Sequence, residues 1–78
     1  RAEALRILRA SALVKMGRTL AVPAHADAAE VCQAVAARTG VGYAELEYLF
    51  ITAAPTHDAQ LSELATRIAD IEREVRAL

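Results

Sequence analysis

His25, His57, Cys32, Asp27 and Asp58 are the residues from which a nucleophile or a metal centre would have to be assembled. His25 and His57 stand 32 positions apart, and Cys32 has no Cys or His at the spacing of a C-x-x-C or H-x-x-x-H pair. A cysteine nucleophile needs a base beside it, and a metal needs several convergent ligands. Cys32 instead falls with Val31, Val35 and Ala36 at helical spacing, where a thiol behaves as a small core hydrophobe. His57 opens a helix, where a cap or surface role is the plainer reading. Gly40 and Gly42 are too sparse for a phosphate-cradling loop. The chain therefore reads as a non-enzyme with no catalytic, cofactor-binding or metal-ligating residue.

A second pattern could do recognition. The stretch AVAARTGVGYAELEYLF resembles DNA-binding helix-turn-helix units in its spacing: Ala36 for close approach, Gly40 for the turn, Leu46 to close the corner, and Val35, Val41 and Leu49 as supports. The would-be recognition helix carries Glu45 and Glu47, with no Lys or Arg from Val41 to Pro55. Phosphate neutralisation supplies most non-specific affinity for nucleic acid, and this surface would repel a duplex. A structural corner is the preferred reading, and a nucleic-acid-binding domain the alternative. Among the aromatics, Phe50 lies on the apolar stripe. Tyr48 lies off it and is the better surface contact, although partial burial against a neighbouring helix is expected.

Charge is the most informative compositional feature. The net charge is −1, but residues 1–20 hold five basic side chains against Glu3 alone, a net of +4, and residues 21–78 sum to −5. Either the basic helix lies against acidic ones, or it faces an anionic surface such as the cytoplasmic leaflet of a membrane. The candidate interaction surfaces are accordingly the basic face of Arg6, Arg9, Lys15 and Arg18, the ring of Tyr48, and the edge formed by Glu72, Arg73, Arg76 and Leu78.

The elements that must position these groups are helices. Alanine fills 19 of 78 positions and the hydrophobic fraction is 55%; β-branched alternation is absent, so the class is all-α. Leu5, Leu8, Ala12 and Met16 form a stripe over residues 2–17, widened by Ile7, Leu13 and Val14, with Gly17 as the expected stop. Apolar residues on more than one side of this helix imply several neighbours or a continuation from a preceding segment. Residues 18–26 read as a linker containing Pro23. Asp27 and Glu30 form a capping box for the second helix, and Gly40 with Val41 a Schellman-type ending. The third helix is expected from Tyr43 to Ala53, ended by Pro55, with Thr56 as N-cap of the last.

That last helix, Asp58 to Leu78, organises the rest. Leu61, Leu64, Ile68, Ile71, Val75 and Leu78 fall at steps of 3 and 4, a seam that needs partner helices. Packing within the chain is preferred, with dimerisation through Ile71–Leu78 as a secondary possibility. Short connections make a four-helix module with a helix-turn-helix-like corner between helices 2 and 3. Residues 1–78 suit a single domain, expected to be a piece of a longer protein. One cysteine excludes an internal disulfide and fits a reducing compartment, and no run of 18 apolar residues is present.

With these residues in view, the chain resembles the C-terminal cytosolic tail of actinobacterial membrane proteins that carry a domain of unknown function and are encoded beside MoxR-type AAA ATPases. The matching stretches are ALVKMGRTLAVPAHADAAEVCQAVAARTG, AELEYLF and AAPTHDAQLSELATRIADIEREVRAL. The resemblance implies a parent with membrane spans, this module on the cytoplasmic face, and a juxtamembrane position for the basic first helix. It implies no enzyme activity, and the partner would be a protein, a second copy, or the membrane surface.

Overall fold

In a computed structural model, residues 2–78 are described, and they form a small all-α module of four helices: α1 (Ala2–Thr19), α2 (Ala28–Thr39), α3 (Tyr43–Glu47), which passes into a π-helical turn (Tyr48–Thr52), and α4 (Asp58–Arg76). The seam of α4 is consumed within the chain. Leu64, Ile68, Ile71 and Val75 are buried, chiefly against α1, and join Leu5, Ala12 and Met16 from α1 with Val31, Cys32 and Val35 from α2. Leu46, Leu49, Phe50 and Ala53 complete this one core, and no polar or charged residue among those described is buried in it. The helix ends at Arg76, so Leu78 falls past it and is exposed.

The α2 start follows the sequence expectation. The Asp27 carboxylate accepts from the Glu30 N–H at 2.9 Å, and the Asp27 N–H donates to the Glu30 carboxylate at 3.4 Å. Gly40 adopts φ +80°, a left-handed conformation that costs glycine little, and its N–H donates to the Ala36 carbonyl at 3.1 Å. The ending is the simpler single-bond motif rather than the Schellman pair. The Val41 N–H is taken instead by the Thr39 hydroxyl at 3.2 Å.

Four further features depart from the sequence expectation. First, α1 runs through Gly17 to Thr19. Gly17 is buried in the helix, where Val22 and Val31 pack over it. The Schellman pair sits four residues later. The Val22 N–H donates to the Gly17 carbonyl at 2.9 Å and the Ala21 N–H to the Arg18 carbonyl at 3.2 Å, with Ala21 at φ +58° in the left-handed position.

Second, Ile7 and Val14 do not widen the buried stripe of α1 but face outward, 56% and 53% exposed. Third, the helix expected over Tyr43–Ala53 loosens after Glu47 into the π-helical turn, closed by the Ala53 N–H donating to the Tyr48 carbonyl at 2.8 Å. Tyr48, expected to be partly buried, is exposed on that turn. Fourth, the α4 cap is His57 and not Thr56. His57 Nδ1 accepts from the Gln60 N–H at 3.4 Å, while the Thr56 N–H and hydroxyl both donate to Gln60 Oε1, at 2.8 and 3.1 Å. Gln60 at N3 thus reaches one residue further back than in a standard capping box, and the cap shifts with it.

Candidate functional site

Each candidate residue takes its position from its helix. Arg9 is directed inward. Its Nε donates to the Leu49 carbonyl at 2.8 Å, and its Nη2 donates to the Ala53 carbonyl at 2.7 Å and reaches the Tyr48 carbonyl at 3.5 Å. The cause lies in the π-helical turn. The Ala53 N–H goes to Tyr48, so the Leu49 carbonyl has no i+4 amide, and Pro55 offers no N–H at all. A guanidinium is a planar fork that can serve two diverging carbonyls and also sits favourably at a helix C-terminus. Burial at this end shifts Arg9 down from its ordinary value. Of the four basic residues on α1, Arg9 therefore holds the fold, and Arg6 forms an exposed pair with Glu3 at 2.7 Å that holds its guanidinium above its ordinary range.

Lys15 and Arg18 are different. Among the described residues neither forms an ion pair. Packing of α1 on α4 sets them beside Glu72, Val75 and Arg76, around a groove of about 290 Å³ floored by Met16. Arg76 is only loosely held by Glu72, at 3.9 Å. The C-terminal turns of α1 and α4 thus lie side by side, and three cations line one end of the molecule. They complement the negative ends of two helix dipoles. Arg73 pairs with Asp70, one turn back on α4, and Leu78 lies beyond the helix.

The acidic residues of the helix-turn-helix-like corner are also placed. Arg67 of α4 grips Glu45 of α3 with two bonds, at 2.6 and 3.1 Å, and this holds the Glu45 carboxyl below the usual range. Cys32 is fully enclosed, with its Sγ 3.8 Å from the Leu46 carbonyl; burial first, and the charge of Glu47 second, push its pKa up to about 11. A thiol held in its protonated form is a poor nucleophile and metal ligand. Among the described residues no three His, Cys, Asp or Glu side chains gather as metal ligands would. His25 and His57 are both exposed.

One surface was not anticipated from the sequence. A second groove, of about 490 Å³, runs between the outer side of α1, the 20–27 connection and the start of α2, with Ala10, Val14, Gly17, Val22 and Pro23 in its wall. Val14 in this wall is exposed, as is Ile7 two turns earlier on α1. The signal for it was the excess of apolar residues around α1, which exceeds what one core can cover. No helix of the described residues is long and apolar enough to cross a membrane. Comparison with family models, curated proteins and solved structures finds nothing that matches this chain.

Proposed function

We propose that the chain is a non-enzymatic helical interaction module, the tail of a membrane protein on its cytoplasmic face, which sets its basic end against anionic lipid and binds a protein partner or a second copy of itself. The observation that carries this reading is the convergence of Lys15, Arg18 and Arg76 around one groove whose lining holds a single acidic residue, Glu72. Juxtamembrane cations gain on the order of 1 kcal/mol each near an anionic leaflet. The resemblance of the sequence to membrane-anchored tails supports a position beside the membrane.

Vesicles containing anionic lipid are expected to retain the chain at low salt, and Lys15→Glu with Arg76→Glu to release it, by roughly tenfold or more in apparent affinity. Both side chains are exposed, so the fold tolerates the change. Equal and negligible retention on neutral and anionic vesicles removes the membrane-facing part of this reading. Against the alternative, a nucleic-acid binder built on the α2–Gly40–α3 corner, stands the charge of α3, which carries Glu45 and Glu47 and no Lys or Arg to neutralise phosphate. A shift of random duplex at low salt with a steep salt slope would reinstate it.

A further inference from the structure

The outward side of α1 is built to meet a copy of itself. Glu3, Ile7, Ala10, Val14 and Arg18 recur at steps of three and four, so they run down one helix face. All five are exposed, and the face lies opposite buried Leu5, Ala12 and Met16. The strip has an acid at one end, a base at the other, two branched apolar residues between them, and small residues at its middle. Positions 3 and 18, 7 and 14, and 10 and 11 are all centred on the same point between Ala10 and Ser11. A two-fold axis through that point lays a second α1 antiparallel on the first. Glu3 of each copy, already paired with Arg6 of its own chain, then faces Arg18 of the other, and Ile7 faces Val14. Ala10 and Ser11 let the two backbones approach closely at the crossing.

The adjacent groove strengthens the match. In this register Ile7 of the second copy projects toward the space beside Val14, where Ala10, Gly17, Val22 and Pro23 form the 490 Å³ hollow. An exposed branched residue on one copy thus meets a mostly apolar hollow on the other, with Arg18 and Asp27 at its edge, twice over. The charges at the rim discriminate. A parallel pairing would set Glu3 against Glu3 and Arg18 against Arg18.

We infer that this strip is a homodimer interface, with two copies of the chain pairing antiparallel through α1, Ile7 of each entering the hollow beside Val14 of the other. This deepens the interaction-module reading and rests on it, naming the second copy as partner. The strip is one helix wide, which places the pair among weak interfaces and sets the concentrations worth testing.

Sedimentation of the chain across concentrations bracketing about 100 μM should show the mean mass climbing from 8.3 kDa toward twice that value. Val14→Glu should weaken the dimer by at least tenfold with helical content unchanged, since position 14 is outside the core. Glu3→Arg should weaken it, and adding Arg18→Glu to the same chain should restore it. Ala10→Cys should oxidise readily to a disulfide dimer, whereas Ala37→Cys, on an exposed side of α2, should not; Cys32 is enclosed and stays out of the reaction. A mass fixed at the monomer value overturns the inference, as does association that Val14→Glu leaves intact. If the chain stays monomeric, and neutral and anionic vesicles alike hold it until Val14→Glu releases it, the strip belongs to the bilayer and the dimer is wrong. A monomer held only by anionic vesicles sinks the dimer and leaves the membrane-facing function standing.

Discussion

Arg9 shows how far a residue's role can lie from its charge. By sequence it is one cation in a basic run. In the fold its guanidinium closes the end of the π-helical turn by satisfying the carbonyls of Leu49 and Ala53. Hydrogen bonds from a charged donor contribute about 1.5–3 kcal/mol, and partial exposure here favours the lower part of that range. Arg9→Ala should therefore cost about 2 kcal/mol of unfolding free energy in urea. Arg9→Lys should recover only part of it, because an ammonium keeps the dipole interaction but cannot span two diverging carbonyls. Equal stability of Arg9→Ala and the wild type would show that water serves those carbonyls as well as the guanidinium does. Nothing in the sequence around Arg9 announces this; its partners lie some 40 residues away.

At the scale of the element, the end of α1 is the informative place. A glycine followed by Arg-Thr looked like a helix stop, yet the helix continues, and the left-handed position falls to Ala21 at φ +58°. An L-residue there costs about 1 kcal/mol relative to glycine. A β-carbon at Gly17 would meet Val31 Cγ2 at 3.8 Å and Val22 Cβ at 4.0 Å, ordinary contact distances. Two substitutions should thus stabilise the protein: Ala21→Gly by up to about 1 kcal/mol, and Gly17→Ala by about 0.5–1 kcal/mol. The denaturation midpoint reads both. A loss of stability in Gly17→Ala would mean that Val22 cannot keep its place over the helix. Both sites touch Val22, so the double variant need not be additive. By contrast, the α2 boundaries were legible, because Asp27 with Glu30 and Gly40 act through bonds to residues three or four positions away.

For the whole molecule, α4 decides whether there is a fold at all. The radius of gyration of 11.7 Å is close to the roughly 11.5 Å expected of a compact chain of this length. A domain this size has on the order of 4–12 kcal/mol of stability. Ile71 is fully buried, and trimming a buried isoleucine to alanine costs about 2–5 kcal/mol. Ile71→Ala should accordingly lower the thermal midpoint steeply or leave the chain unfolded at room temperature. Leu78→Ala, at the exposed end of the same heptad pattern, should change stability by under about 0.5 kcal/mol. Comparable losses at the two positions would mean that the seam is covered along its full length.

Local sequence specifies the all-helical class, the four-helix count, the capping box and glycine stop of α2, and most of the α4 seam. Each rests on periodicity or on bonds between near neighbours, and such interactions are written in consecutive residues. Tertiary structure alone decided that Arg9 turns inward, that the third helix loosens into a π-helical turn, and that Lys15, Arg18 and Arg76 share a groove. It also decided that Ile7 and Val14 are left outside. A helix apolar on two sides satisfies the pattern for burial on either, and only the position of α4 settles which side is covered.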